Sequence, residues 1–132
     1  MADVEIELMD VIKAHALGGI ITEDNFFYAE VPIGTDLPYC VFQFPTIDDD
    51  FHAGEEAKIV DVDFTIWAST RAQMNSYLLA FDAKFKLNVE LDMSAGEWNF
   101  TSMIPLAAQG VIKDGTLLKK YEARRIRCYR AR

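Results

Sequence analysis

The sequence predicts an α+β domain: a mainly antiparallel sheet of about five strands with two helices packed on it, in the order α-β-β-β-α-β-β. Three observations carry that expectation. Residues 60–66 alternate strictly, with Val60, Val62, Phe64 and Ile66 on one side and Asp61, Asp63 and Thr65 on the other, the period-two signature of a half-buried strand. Two other segments repeat their apolar residues at helical spacing. Glycine and proline punctuate the intervals where the chain must turn.

Residues 3–17 read as the first helix, because Val4, Leu8, Val11 and Ile12 form one apolar stripe. Asp3, Glu5 and Glu7 suit the positive end of its dipole, and His15 suits the carbonyl end. Gly18 and Gly19 end it, since glycine adopts a left-handed cap without steric cost. Residues 25–31 (NFFYAEV) read as a first strand, residues 32–38 (PIGTDLP) as a proline-bounded arm, and residues 39–44 as a second strand stopped by Pro45. An acidic loop over 48–56 leads to the third strand, 58–68.

Thr70-Arg-Ala-Gln73 has the form of a capping box, and Met74, Leu78, Phe81 and Phe85 then recur as an amphipathic helix of about four turns. The pattern weakens over 87–94 and breaks at Ala95-Gly96. Residues 97–106 alternate again, with Trp98, Phe100 and Ile104 on one face, and Lys113-Asp-Gly115 signals a turn. The last strand, 117–130, changes phase: Tyr121 and Ala123 share one parity, Ile126 and Cys128 the other. A β-bulge near Arg124-Arg125 would reconcile them.

At 132 residues, 51% hydrophobic and 26% charged, the chain is expected to be one domain, 1–132, with a real core. It holds no apolar run near the roughly 20 residues that span a bilayer, so no membrane partner is expected. The acidic start, MADVEIELMD, matches neither a signal nor a transit peptide, so the protein is expected to be cytosolic where it is made. Cys40 and Cys128 lie inside strands without C-x-x-C spacing and read as small buried apolar residues. The net charge of −8 is uneven: from Lys119 onward seven Lys/Arg face one acid, a balance of +6, whereas residues 1–118 carry −14. Such a split favours head-to-tail contact between copies.

Catalytic motifs are absent: no G-x-S-x-G, P-loop or H-E-x-x-H, and two histidines in all. Asp48, Asp50 and His52 stand at every second position, as cation ligands can. The calcium-loop pattern nevertheless fails, with Ala53 where it needs Gly and Ile59 where it needs Glu. No metal, cofactor or catalytic residue is therefore expected, and the chain reads as a non-enzyme. Asp61 and Asp63 read as a wet face rather than a tuned carboxylate pair. The run KKYEARRIRCYRAR interleaves basic and aromatic residues as a nucleic-acid strand does, but the acidic body would repel phosphate, and an acidic protein neighbour fits it better.

Residues 38–73, with Pro38-Tyr39 opening one strand and Ile66-Trp67-Ala68-Ser69-Thr70 closing the next before a helix, resemble the small tail-terminator or tail-completion proteins of long-tailed bacteriophages. The order of elements extends the likeness over nearly the whole chain. The resemblance implies a structural virion protein at the head–tail junction, assembled in the host cytoplasm. It would form a ring, commonly a hexamer, that caps the tail tube, stops its polymerisation and offers an interface to the head-completion or connector protein. DNA would pass through the lumen without specific binding.

No catalytic residues exist to carry over from that family. Its working surfaces would correspond to the arm (Pro32, Asp36, Pro38) and the acidic loop (Asp48, Asp49, Asp50, His52, Glu55, Glu56). The basic strand (Arg124, Arg125, Arg127) would meet a neighbour, with Asp61 and Asp63 facing the lumen. The rival readings are a head–tail connector or tail-tube-like protein, a nucleic-acid-binding module using residues 119–132, and a small-molecule-binding α+β domain or enzyme.

Overall fold

A computed structural model of the chain describes residues 4–49, 56–86, 97–101 and 103–130. Two helices, α1 (Val4–Ala16) and α2 (Arg71–Lys84), lie against one sheet of seven strands: β1 (Phe26–Tyr28), β2 (Tyr39–Asp49), β3 (Glu56–Ala68), β4 (Trp98–Phe100), β5 (Ile104–Ala108), β6 (Ile112–Asp114) and β7 (Leu117–Arg130). The sheet runs β1-β2-β3-β7-β4, with β5 and β6 also paired to β7. The segments β4, β5 and β6 thus follow one another along the far side of β7 as a broken edge strand.

The α+β class fits, but the sheet is mixed and has seven strands rather than about five. β1 pairs with β2 in parallel, Phe26 opposite Cys40 through Tyr28 opposite Phe42. An antiparallel hairpin needs a tight reversal, whereas the excursion over 29–38 carries the chain back to the end from which β1 started. The other pairings are antiparallel.

The expected alternation of β3 is real: Val60, Val62, Phe64 and Ile66 are buried, and the residues between them face the other way. Phe64 anchors the packing of α2, with ring centroids 5.0 Å from Phe81 and 5.2 Å from Phe85. Phe26 and Phe42, 5.2 Å apart, extend the aromatic layer towards β1. α1 adds Val4, Leu8, Ile12 and Ala16 to the same core. Glycine ends α1 as expected, with φ of 141° at Gly18 and 61° at Gly19.

α2 starts at the expected cap. Thr70 Oγ1 accepts from Gln73 N at 3.2 Å, and Gln73 Oε1 reaches back to accept from Ser69 N at 3.0 Å. Met74, Phe81 and Phe85 are buried and Leu78 is half-buried; Tyr77, which the apolar spacing passed over, is buried as well. Its hydroxyl donates to Asn25 O at 2.7 Å, which satisfies the polar end of an otherwise apolar residue.

Three local expectations are corrected. Pro45 does not stop β2. Between the pairs Gln43–Asp63 and Thr46–Asp61 the chain takes three steps on β2 against two on β3, so a bulge absorbs Phe44 and Pro45 and the strand continues to Asp49. Residues 97–106 are not one strand, and Ile104 does not share the buried face of Trp98 and Phe100: it is 49% exposed, because pairing to β7 breaks between β4 and β5. No bulge interrupts β7 against β3, whose register is continuous from Glu56–Arg130 to Ala68–Leu118. The apparent phase change has another cause: the core-facing position opposite Val62 is held by Arg124.

Candidate functional site

Chemistry-bearing residues gather at the two edges of the sheet and on the face turned away from the helices. At the β1 edge the arm begins with Ala29, at φ 62°, whose N–H donates to Phe42 O at 2.8 Å. Thr35 N donates to Pro32 O at 3.2 Å and Thr35 Oγ1 donates to the same oxygen at 2.6 Å, closing a turn over Ile33-Gly34. Gly34 takes φ 87°, which a turn with positive φ at its third residue requires. The turn sets Ile33 at its tip, fully exposed. Pro32 and Asp36 are exposed beside it, while Pro38 follows a cis peptide bond and is half-buried against α2 near Ile20 and Tyr77.

The outer face carries Asp61 and Asp63, and both have partners. Arg125 donates to Asp61 through Nε at 2.8 Å and Nη2 at 3.3 Å, a forked pair between a 43% exposed guanidinium and an 18% exposed carboxylate. Hydrogen bonding to Asp61 raises the pKa of Arg125 further. Tyr121 Oη donates to Asp63 at 2.9 Å; burial, and then the bond and charge of Asp63, raise its pKa. The two aspartates are therefore less of an acidic stripe than their sequence suggested, because β7 brings a cation and a phenol across from them.

At the far edge, Ile59, Thr101, Ile104, Arg125 and Arg127 line a groove of ≈ 340 Å³. Thr101 holds its floor, its N–H donating to Arg127 O at 2.9 Å and its Oγ1 accepting from Arg127 N at 3.1 Å. From Ile104 in the groove wall the edge continues apolar and exposed through Leu106 and Ile112.

Arg124 is removed from the expected surface set. It is 3% exposed, donates through Nη1 to Phe85 O at the end of α2 and through Nη2 to Glu122 at 3.1 Å, and lies 5.6 Å from the Phe81 ring centroid. His15 likewise turns from the end of α1 to donate through Nε2 to Lys84 O. A guanidinium and an imidazole thus both serve the carbonyl end of α2, where donors and positive charge are favoured.

Asp48 and Asp49 are exposed at the end of β2, and Asp49 pairs with Lys58 at 2.9 Å. Asp50, His52 and Glu55 lie outside the described residues, and Glu56 opens β3 opposite Arg130. Among the described residues no group of three or more His, Cys, Asp or Glu side chains could hold a metal ion. No helix among them is long and apolar enough to cross a membrane. Cys40 and Cys128 are free and buried, and burial pushes the Cys128 thiol up to about 12 and that of Cys40 higher still.

Ile33, Leu106 and Ile112, and the exposure of Ile104, are the surface features that sequence reasoning missed. An apolar residue between proline and glycine (Pro32-Ile33-Gly34) was the one available signal, since a turn tip has nothing to bury it.

No family model matches the chain, and no curated protein matches it in sequence. Its fold has a counterpart among solved structures: a chain from the virion of a native gene transfer agent particle superposes with a TM-score of 0.56 at 15% identity, covering 78% of each chain.

Proposed function

We propose that the chain is a non-enzymatic virion subunit of the tail-terminator kind, which self-associates into a ring, caps the tail tube, ends its polymerisation and presents a face to the head connector. The fold match to a chain of a gene transfer agent virion over 78% of both lengths is the observation that carries this reading. The resemblance of residues 38–73 to the tail-terminator family narrows it to that joint. A heterologous contact closes into a ring when its rotation allows, and the two sheet edges supply unlike surfaces for such a contact. In the ring, Pro32, Asp36 and Pro38 would belong to one contact surface and Arg125 and Arg127 to the other. Asp48, Asp49, Asp50, His52, Glu55 and Glu56 would face tube or connector. Asp61, paired with Arg125, and Asp63, a carboxylate bonded to the neutral phenol of Tyr121, would give the lumen a modest negative lining past which DNA slides. Assembly would take place in the host cytoplasm.

The matched chain is described only as part of its particle, so a head–tail connector or tube-like subunit of the same assembly is the reading to separate. The nucleic-acid module loses ground, because Arg124 is buried, Arg125 is held by Asp61 and Lys120 donates to Gln109 O. The deciding experiment is co-expression with a tail-tube protein from the same genome, followed by negative-stain microscopy. Tubes of limited length with a ring at one end are expected, and uncapped overlong tubes when this chain is left out. Tube length indifferent to this chain would overturn the proposal, and the chain repeating along the tube would replace it with the tube-like reading.

A further inference from the structure

We infer that the Ile33 arm of one copy seats in the Ile59–Ile104–Arg127 groove of the next, so that contact between copies runs head to tail. This rests on the reading of the chain as a self-associating subunit and specifies which surfaces meet. Three observations converge on it. First, the turn at Pro32–Thr35 fixes Ile33 in full exposure, held from both sides by the pairing of β1 and β2. A branched apolar side chain kept in water by a bonded turn is an anchor without a pocket.

Second, the groove at the other edge offers the matching walls: Ile59 and Ile104 are apolar, and Arg125 and Arg127 form its rim. Asp61 holds Arg125 in a forked pair, so that side of the rim is already ordered before anything binds. The arm cannot reach the groove of its own copy. Along the strands the arm leaves at Tyr28, level with Phe42 and Phe64, and returns at Tyr39, level with Trp67. Ile59 lies five and eight residues further along β3, roughly 16 and 26 Å at ~3.3 Å per residue, with β2 also intervening. The occupant is therefore a second copy.

Third, charge sets the polarity. Between Lys13 and Lys58 the sequence has no Lys or Arg, and Glu23, Asp24, Glu30 and Asp36 flank β1 and the arm. Lys113, Lys119, Lys120, Arg125, Arg127 and Arg130 belong to β6 and β7 beside the other edge. There Asp61 and Glu97 offset Arg125 and Arg130, Glu122 offsets the buried Arg124, and Asp114 is the remaining acid, which leaves the balance positive. Arm against arm would oppose acid to acid, and groove against groove base to base; arm against groove is the arrangement that pairs them. Such a contact uses different surfaces on the two partners, leaves an arm at one end and a groove at the other, and so propagates.

Cysteine pairs test it, because Cys40 and Cys128 are buried and stay silent in the folded protein. Ile33→Cys protein is mixed with Ile104→Cys protein and treated with a short bismaleimide, each maleimide adding one thiol. Leu79→Cys, exposed on α2, replaces Ile104→Cys in the control. Light scattering follows oligomer size in parallel, with and without Ile33→Ala, which truncates a side chain that makes no core contact.

A linked dimer from the 33–104 mixture and not from the 33–79 control, with association weakened about tenfold by Ile33→Ala, is the expected result. Oligomers that form without 33–104 linkage, or that ignore Ile33→Ala, would overturn the docking and leave self-association standing. Linkage of 33 to 104 in open chains that never close would uphold the docking and overturn the ring. A protein that neither associates nor links at any concentration would overturn the docking.

Discussion

Arg124 separates what a residue type suggests from what its position requires. On β7 it occupies the core-facing site opposite Val62, its guanidinium over the Phe81 ring and donating to Phe85 O and Glu122. Arginine can do this because its apolar stem tolerates burial while the fork finds acceptors. Removing one partner of a buried charged network costs about 3–5 kcal/mol, so Arg124→Ala is expected to lose about 3 kcal/mol or more of stability in urea unfolding. If Arg124 instead served a surface contact, the variant would weaken association and keep its unfolding midpoint. Asp82 belongs to the same neighbourhood. It is exposed on α2, yet partial desolvation, and then the charge of Glu122, raise its carboxyl above the usual range against the pull of Arg124 and Lys120. A raised folded pKa favours folding below the unfolded carboxylate pKa and is a penalty once pH passes the folded value. Asp82→Asn should therefore unfold at higher urea than the parent at pH 7, with the gap closing below about pH 4. A gap that widened in acid would reverse this assignment.

Elements were legible in the sequence wherever a local rule decided them. The alternation of β3 and the Thr70 cap of α2 needed only period and capping chemistry, and Thr70→Ala is expected to cost about 1 kcal/mol, read as a lower thermal midpoint. A variant with unchanged stability would mean that the Gln73–Ser69 bonds hold the helix start alone. Elements failed to read where the deciding partner was distant. Pro45 looks like a strand end until a second strand shows one extra residue to be absorbed. Ile104 shares parity with Trp98 and Phe100, but parity carries across a segment only while pairing is unbroken, and β4 and β5 pair with β7 separately. The parallel β1–β2 pair was invisible because no local pattern states which way a three-residue strand will align. The candidate surfaces divide in the same way: prolines marked the arm, while the exposure of Ile33 and the bonds of Asp61 and Asp63 to β7 belong to tertiary structure.

At the scale of the whole molecule, two electrostatic effects oppose each other, and salt tells them apart. The net charge of −8 makes copies repel as bodies, whereas the acidic and basic edges would attract in the head-to-tail docking inferred above. The effects act over different distances. A chain of this length has a radius of gyration of about 14 Å, hence an outer radius of about 18 Å, so touching copies sit roughly 36 Å apart centre to centre. Charges meeting across a contact lie within a few ångströms. The Debye length is about 30 Å at 0.01 M salt, 10 Å at 0.1 M and 3 Å at 1 M. The first step in salt therefore screens the long-range repulsion while sparing the contact, and the last step erodes the contact. Association measured by analytical ultracentrifugation should be weak at 0.01 M, strongest near 0.1 M and weaker again towards 1 M. Sulfate is unsuitable for the series, because it strengthens apolar burial independently of screening, so chloride salts are required. A steady rise through 1 M would assign the contact to apolar burial alone. A steady fall from 0.01 M would mean that the edge charges outweigh the repulsion of the bodies even when neither is screened. The intermediate maximum is the signature of a subunit that is acidic as a whole and complementary at its edges, staying dispersed until copies meet in the one orientation that pairs them.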